Sequence, residues 1–401
     1  MIGAPVTPTG RESLVGAGPV VAAFATFGLF WGSWAVMVFN IQHTFHLSDS
    51  QLGVLLAVAV AVAGVSSAVM AHLADRVGAR RLLWIALFTW SGFLILLSAA
   101  PQKWTFVVAL VLVEIAGGSI DTAMNAEGSH RLIGNPAALI RLNAVFNAGA
   151  LAGAAAAGII LRAGVSWRWV WPGVALVALV VGAWALTTDT GTALEHRGSG
   201  AAPHSAPTHP FRRLRRDGLL VLLVVFALAE VTEGGVDTWG VLFLRHQLST
   251  GVLLGAGAYV VGQAVAAITR GAGGTLLGRL STRRALIVGG CVAGGGILLE
   301  SLTHAPLLAG VGLALGAGGA ALFWPLVMST VSQMASQVVS AVGTFTAAGY
   351  IGWVAGAPLV GWVSQTYGGQ RGLQLLAVAA FAVAAFSLIR SDRRPEQDAT
   401  R

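Results

Sequence analysis

The sequence predicts an all-α polytopic membrane protein, with twelve transmembrane helices in two pseudo-symmetric six-helix bundles. Three observations lead there. Of 401 residues, 56% are hydrophobic and only 10% charged, where a soluble domain carries about 25% charged residues. The charges gather in short gaps between apolar runs of about 18–25 residues, the length a helix needs to cross about 30 Å of hydrocarbon. The two halves of the chain also resemble each other at a fixed offset. The 53 glycines fit this class, since membrane helices pack through small residues.

The twelve runs lie near 18–41, 51–72, 82–100, 105–126, 140–162, 168–187, 218–244, 252–277, 285–304, 306–330, 340–365 and 371–390. The first is too long for the apolar core of a cleaved signal and lacks a basic segment before it, so it reads as a retained helix. Thr188–Asp217 is the long polar stretch, with Pro203, Pro207 and Pro210 followed by the basic run from Phe211 to Arg216. It reads as a flexible linker ending in a membrane-surface anchor. The expected organisation is a first bundle over 1–187, a cytoplasmic linker over 188–217, a second bundle over 218–390 and a cytoplasmic tail over 391–401.

Orientation follows from the basic residues, because basic flanks stay cytoplasmic. With both termini inside, most of the 24 Lys and Arg fall in cytoplasmic segments. Lys103, Arg162, Arg168, Arg245 and Arg371 fall outside, and Arg270 lies within the eighth run. The net charge of +8 is thus topological: the expected partners are anionic lipid headgroups at the Arg clusters, not nucleic acid.

Several chemistries are excluded at this level. The single Cys291 leaves no disulfide framework or Cys-based metal site. The only lysine, Lys103, lacks the preceding glycines of a phosphate-binding loop, so no nucleotide site is expected. His43 and His46, three apart beside the first outer loop, are too little for a metal site, and no metal or cofactor is expected. No nucleophile–base constellation points to an enzyme.

The internal repeat rests on basic loops and glycines together. The segment Ala71–Arg81 (AHLADRVGARR) aligns with Gly274–Arg284 (GTLLGRLSTRR), 203 positions on, as Arg80 does with Arg283. The same offset carries Gly153 to Gly356 and Gly158 to Gly361. The glycine pairs Gly149/Gly153, Gly251/Gly255, Gly312/Gly316 and Gly352/Gly356 permit close helix approach. They suit either smooth contacts between halves that rock or ordinary packing.

Over essentially its whole length the chain resembles the major facilitator superfamily. Leu73-Ala-Asp75-Arg76-Val-Gly78-Ala-Arg80-Arg81 resembles that superfamily's loop between its second and third helices, departing from it at Ala71 and Ala79. The resemblance implies a gating role for Asp75, facing the N-terminus of the eleventh helix, and for Arg76, Gly78, Arg80 and Arg81, with Arg279 and Arg283 in the second copy. The plainer alternative is a positive loop that only fixes topology. Asp121-Thr-Ala-Met-Asn125 and Arg141-Leu-Asn143 with Phe146-Asn147 resemble stretches of the fucose:proton symporter family, which implies Asp121 for the proton and Asn147 for the substrate. That family also has an acid in its first helix, and none lies between Pro19 and Gln42 here. The pattern is nearest to bacterial inner-membrane transporters related to that family, which implies the cytoplasmic membrane as location.

Acids inside apolar runs carry the remaining chemistry, because an ionised carboxylate at the bilayer centre costs about 2.5–3.5 kcal/mol. Glu114 and Asp121 stand seven apart on one face of the fourth helix, with Asn125 on the same stripe. Glu230, Glu233 and Asp237 make a second stripe on the seventh. Each of the five is a candidate proton carrier; the alternative is an aqueous vestibule with solvated acids. Arg270 requires a carboxylate or a helix C-terminus nearby. Glu300 and His304, near the end of the ninth run, read as interfacial. Candidates to contact a substrate are Asn125, Asn147, Trp34, Trp239 and Trp324, with Trp31 and Trp353 as further aromatics that could stack on a sugar ring.

The expectation is a proton-coupled secondary transporter of a small molecule, working by alternating access and functional as a monomer, with uptake of a sugar-like polar solute favoured. Alternatives are export of a metabolite or drug by proton antiport and a non-transporting membrane receptor.

Overall fold

In a computed structural model of the chain, residues 18–131, 136–188, 214–276, 281–335 and 338–389 are described, and among them every regular element is a helix. Six helices precede residue 188: α1 Gly18–Thr44, α2 Asp49–Val77, α3 Ala79–Ala99, α4 Lys103–Arg131, α5 Pro136–Arg162 and α6 Val170–Thr187, the last entered through a 3₁₀ turn at Trp167–Trp169. The second series is α7a Leu220–Gly235, a π turn Val236–Gly240, α7b Val241–His246, α8 Val252–Leu276, α9 Thr282–Leu302, α10a Pro306–Ala320, α10b Phe323–Met334, α11 Val338–Tyr367 and α12 Gly369–Ile389. The twelve apolar runs thus correspond to twelve helices or helix pairs, two of them interrupted. Among the described residues, ten helical spans are long and apolar enough to cross a membrane. The π turn cuts α7 into shorter pieces.

The chain divides into two compact units: residues 1–47 with 58–203, and Ser48–Ala57 with His204–Arg401. The first turns of α2 thus cluster with the second unit. In the first unit α1 packs on α5 and α6, and α3 on α4 and α6; in the second, α7a packs on α11 and α12, and α9 on α10a and α12. The helix pairings repeat.

Glycines set these contacts. A Cβ on Gly28 or Gly32 of α1 would fall on the carbonyl oxygens of Phe146 and Ala150, and one on Gly149 or Gly153 of α5 on those of Ala25 and Leu29. The counterparts Gly352 and Gly356 lie on Ala227 and Val231 of α7a. These glycines therefore close contacts inside each repeat, the ordinary-packing alternative. The core of the first unit is aromatic. Trp34 stacks on Trp171 at 5.7 Å and 13°, and Phe30 meets Trp90 edge-on at 5.3 Å.

The loop between α2 and α3 also explains its residues. Gly78 has φ +94° and begins α3, a conformation that disfavours any side chain. In the second repeat Ser281 has ordinary extended geometry, and its hydroxyl caps the N–H of Arg284. Arg80, 9% exposed, reaches the C-terminus of α6, donating to the carbonyl of Ala185 (3.4 Å), to Thr188 and to Glu127 (3.3 Å). Arg283 does the same for α12 through the carbonyls of Ser387 and Leu388. A cation there complements the negative end of each helix.

Candidate functional site

In the first unit the α4 acids stand apart in setting. Glu114 is 3% exposed. Beside it, a Cβ on Gly117 would lie 3.6 Å from Phe27, 3.8 Å from Trp90 Nε1 and 3.9 Å from Glu114 Oε2. The indole nitrogen of Trp90 is buried without a hydrogen-bond partner. Two turns on, Asn125 Nδ2 donates to both Oδ1 and the carbonyl of Asp121, each at 2.9 Å. The i, i+4 spacing of an α-helix brings the two side chains together. α2 braces this face: Ser66 donates to the carbonyl of Ile115 (2.6 Å), and the hydroxyls of Ser67 and Thr122 meet at 2.7 Å. Asn147 of α5 is buried.

In the second unit α8 supplies polar partners to two of the three α7 acids. Gln263 Nε2 donates to Asp237 Oδ1 at 2.8 Å, and Arg270 pairs with Glu233. Gln263 and Arg270 are seven apart and share a face, as Glu233 and Asp237 do on the antiparallel partner. The pair Arg270–Glu233 keeps 29% and 25% of its side-chain surface exposed. Glu230 Oε1 is buried without a hydrogen-bond partner, and its Cγ packs toward Gly349 of α11.

Arg270 has a second anchor. Its Nε donates to the carbonyl of Ala321 at 3.2 Å, in the break between α10a and α10b. The break has a chemical cause. An uninterrupted helix would bond the Ala321 carbonyl to the N–H of residue 325, and that residue is Pro325, which has none. Arg270 supplies the missing donor, so it meets both a carboxylate and a helix C-terminus.

The aromatic candidates separate. Trp239, within the π turn, is buried and borders a small cleft with Asp49, His246, Gln247 and Ser364. Trp324, in the first turn of α10b, is half exposed, whereas Trp34 is sealed in the aromatic core. Trp31 lies edge-on to Phe27, and Trp353 packs on Gly234 of α7a. Arg76 and Arg81 are exposed. The Asp75 side chain, Arg279, the linker residues 189–213 and the tail 390–401 lie outside the described residues.

Two features differ from the sequence expectation. Glu300 is not exposed at its helix end: it is 1% exposed, and both carboxylate oxygens are buried without a hydrogen-bond partner. It turns inward because Gly312, Gly316 and Gly296 bring α9 and α10a into backbone contact around it. Gln263 is a polar partner absent from the sequence expectation, although a glutamine inside an apolar run is a visible signal.

The sequence matches the profile of the Major Facilitator Superfamily over residues 20–357. The chain belongs to this superfamily. It is 26% identical to the membrane protein MosC of Rhizobium meliloti over 387 residues, covering 94% of this chain and 91% of MosC. It is also 26% identical to an uncharacterized MFS-type transporter of Yersinia pestis, over 90% of this chain and 93% of the relative. The fold is similar to that of the nucleoside transporter NupG, with a TM-score of 0.78 at 13% identity over 94% of this chain and 99% of NupG. A bacterial homolog of the lysosomal transporter Spinster, in an inward-facing conformation, gives a TM-score of 0.74 at 16% identity, over 95% of this chain and 97% of that one. This major facilitator is a multi-pass membrane protein and a secondary transporter.

Proposed function

We propose that the protein is a proton-coupled carrier of a sugar-like polar solute, working by alternating access in the bacterial cytoplasmic membrane. The observation that carries this reading is the α4 face, where Asp121 is held by Asn125 two turns from the buried Glu114. An acid bonded to an amide can exchange a proton and still keep a hydrogen-bonding partner in either state. Asn125 is exposed and could pass to a substrate hydroxyl as Asp121 gains its proton. The α7 acids are the second candidate relay, with Trp239 and Trp324 as stacking surfaces and Asn147 as a further amide. One proton moving down ~150 mV supplies about 3.5 kcal/mol, enough for a several-hundred-fold gradient at one-to-one coupling.

The test is a thermal-shift screen over monosaccharides, nucleosides and short peptides, followed by uptake of each hit into proteoliposomes with an imposed pH gradient. A monosaccharide or related polyol should stabilise the protein and accumulate only with an inward proton gradient. Uptake indifferent to that gradient would make the protein a uniporter. The charge bias assigns both termini to the cytoplasm. Cysteines placed at Gln102 and Arg215 in a Cys291→Ala background should label from opposite sides.

A further inference from the structure

Glu300 is a buried titratable group outside the proposed α4 and α7 relays. It lies in the last turns of α9, 1% exposed, with neither Oε1 nor Oε2 hydrogen-bonded. Its neighbours fix it there. The backbone N of Glu300 sits against Gly312 of α10a, where a Cβ would come within 2.6 Å. On the other side its carboxyl abuts the end of the π turn in α7: a Cβ on Gly240 would lie 3.1 Å from Oε1, 3.4 Å from Oε2 and 2.5 Å from Leu313 Cδ1. A side chain on Gly240 would press first on Leu313 and then on the Glu300 carboxyl.

Among the described residues, no hydrogen bond or ion pair is made to that carboxyl. α10a contains no ionisable residue, nor does α10b. On α12 the one charged residue is Arg371, which is exposed and bonded to Gln374. The π turn contributes Asp237, bonded to Gln263 of α8. On α7b, the Arg245 stem packs against Gly255 of α8, and His246 borders the cleft with Asp49. On α7a, Glu233 holds Arg270, which is committed to α10 at Ala321. On α9 itself Arg283 and Arg284 stand at the opposite end, and His304 follows the helix. A bare carboxylate without a counter-ion is among the most costly groups to bury, whereas a carboxylic acid of the same shape needs one hydrogen-bond acceptor. A π turn spaces its backbone bonds at i→i+5, and the turn Val236–Gly240 meets the Glu300 carboxyl at Gly240.

We propose that Glu300 is a proton-binding site of the carrier, occupied in this conformation, and that its neutral carboxyl holds the π turn Val236–Gly240 in place. Loss of that proton puts a charge against Gly240 and displaces the turn, which carries Asp237 and Trp239. The site is separate from the α4 and α7 acids and does not depend on the proposed coupling.

Infrared spectra of the protein in lipid nanodiscs at neutral pH test the occupancy. Wild type minus Glu300→Gln should show one carboxylic-acid carbonyl band per chain. A carboxylate band in its place overturns the proposal. Hydrogen exchange tests the mechanical part. After correction for intrinsic rates, exchange across Val236–Leu244 should rise several-fold in the wild type between neutral and alkaline pH and stay flat in Glu300→Gln. Parallel pH profiles for the two overturn it. Glu300→Met keeps the volume without a charge and should also be recovered folded from membranes. Failure of both neutral variants to fold counts against the proposal, because a site built for a neutral acid accepts an amide or a thioether of that size.

Discussion

Arg270 donates its Nε to the carbonyl of Ala321 at 3.2 Å, filling the place of the N–H that Pro325 lacks, while the same guanidinium pairs with Glu233. One side chain thus ties α7, α8 and the break in α10 together. The planar fork of arginine serves both partners at fixed angles, which a lysine ammonium cannot. Arg270→Lys should therefore lower the melting temperature nearly as far as Arg270→Gln. Removing one member of the pair costs up to about 3–5 kcal/mol where it is buried, and less here because both side chains keep a quarter or more of their surface exposed. The double variant Arg270→Gln/Glu233→Gln should be less damaged than the two single effects added, by about 0.5–3 kcal/mol. Strict additivity in detergent melts would dissolve the link.

Backbone proximity gives a sharper contrast. A methyl on Gly32 meets the Ala150 carbonyl, and one on Gly149 the Ala25 carbonyl, whereas a Cβ on Gly92 of α3 or Gly173 of α6 has nothing within 4 Å. Gly32→Ala and Gly149→Ala force α1 and α5 apart and should cost about 1–3 kcal/mol or more. Gly92→Ala and Gly173→Ala should be neutral or stabilising by up to about 1 kcal/mol, since alanine is the better helix former. Melting temperatures of the four variants at matched lipid content decide it; equal losses at all four positions would contradict the packing.

Much of this was legible beforehand, and the limits are physical. The repeat offset that relates Arg80 to Arg283 also relates Gly149 to Gly352 in space, because basic residues and glycines are rare enough in apolar sequence to be recognised. Arg270 and Pro325 were both visible, yet their meeting depends on the register of α8 against α10, which no local pattern encodes. The π turn has no marker in Val-Asp-Thr-Trp-Gly. The burial of Glu300 has no local marker either, because distance from a helix end says nothing about which way a side chain turns.

The two repeats differ at the buried position that Arg80 meets, and that difference is testable. Arg80 meets Glu127, whose side chain is 10% exposed. At the equivalent point of the second repeat stands Thr330, bonded to the carbonyl of Leu326. Arg80→Ala strips the cation from a buried carboxylate and should cost about 3–5 kcal/mol. Arg283→Ala removes only charge-assisted bonds to two helix-end carbonyls, about 1.5–3 kcal/mol. Glu127→Gln should recover much of the loss in Arg80→Ala and nothing in Arg283→Ala. Rescue of both, or of neither, by thermal unfolding would mean that Arg80 acts as a helix cap alone.

Proton coupling, finally, can be assigned by separating accumulation from exchange. Asp121→Asn keeps the shape of the acid and its contact with Asn125 but can neither take up nor release a proton. A carrier coupled through Asp121 should then lose gradient-driven accumulation in proteoliposomes, at least tenfold (about 1.4 kcal/mol of driving force). Exchange of labelled for unlabelled substrate, once a substrate is in hand, should survive, because binding and rocking require no proton release. Glu230→Gln and Glu233→Gln belong in the same series. Glu233→Gln also takes the charge partner from Arg270, so it should slow exchange as well as accumulation, whereas Asp121→Asn should spare exchange. If Asp121→Asn accumulates as the wild type does and Glu230→Gln does not, the proton travels along α7, where Glu230 Oε1 is buried with no hydrogen-bond partner. Normal accumulation in all three variants would remove proton coupling from these acids altogether.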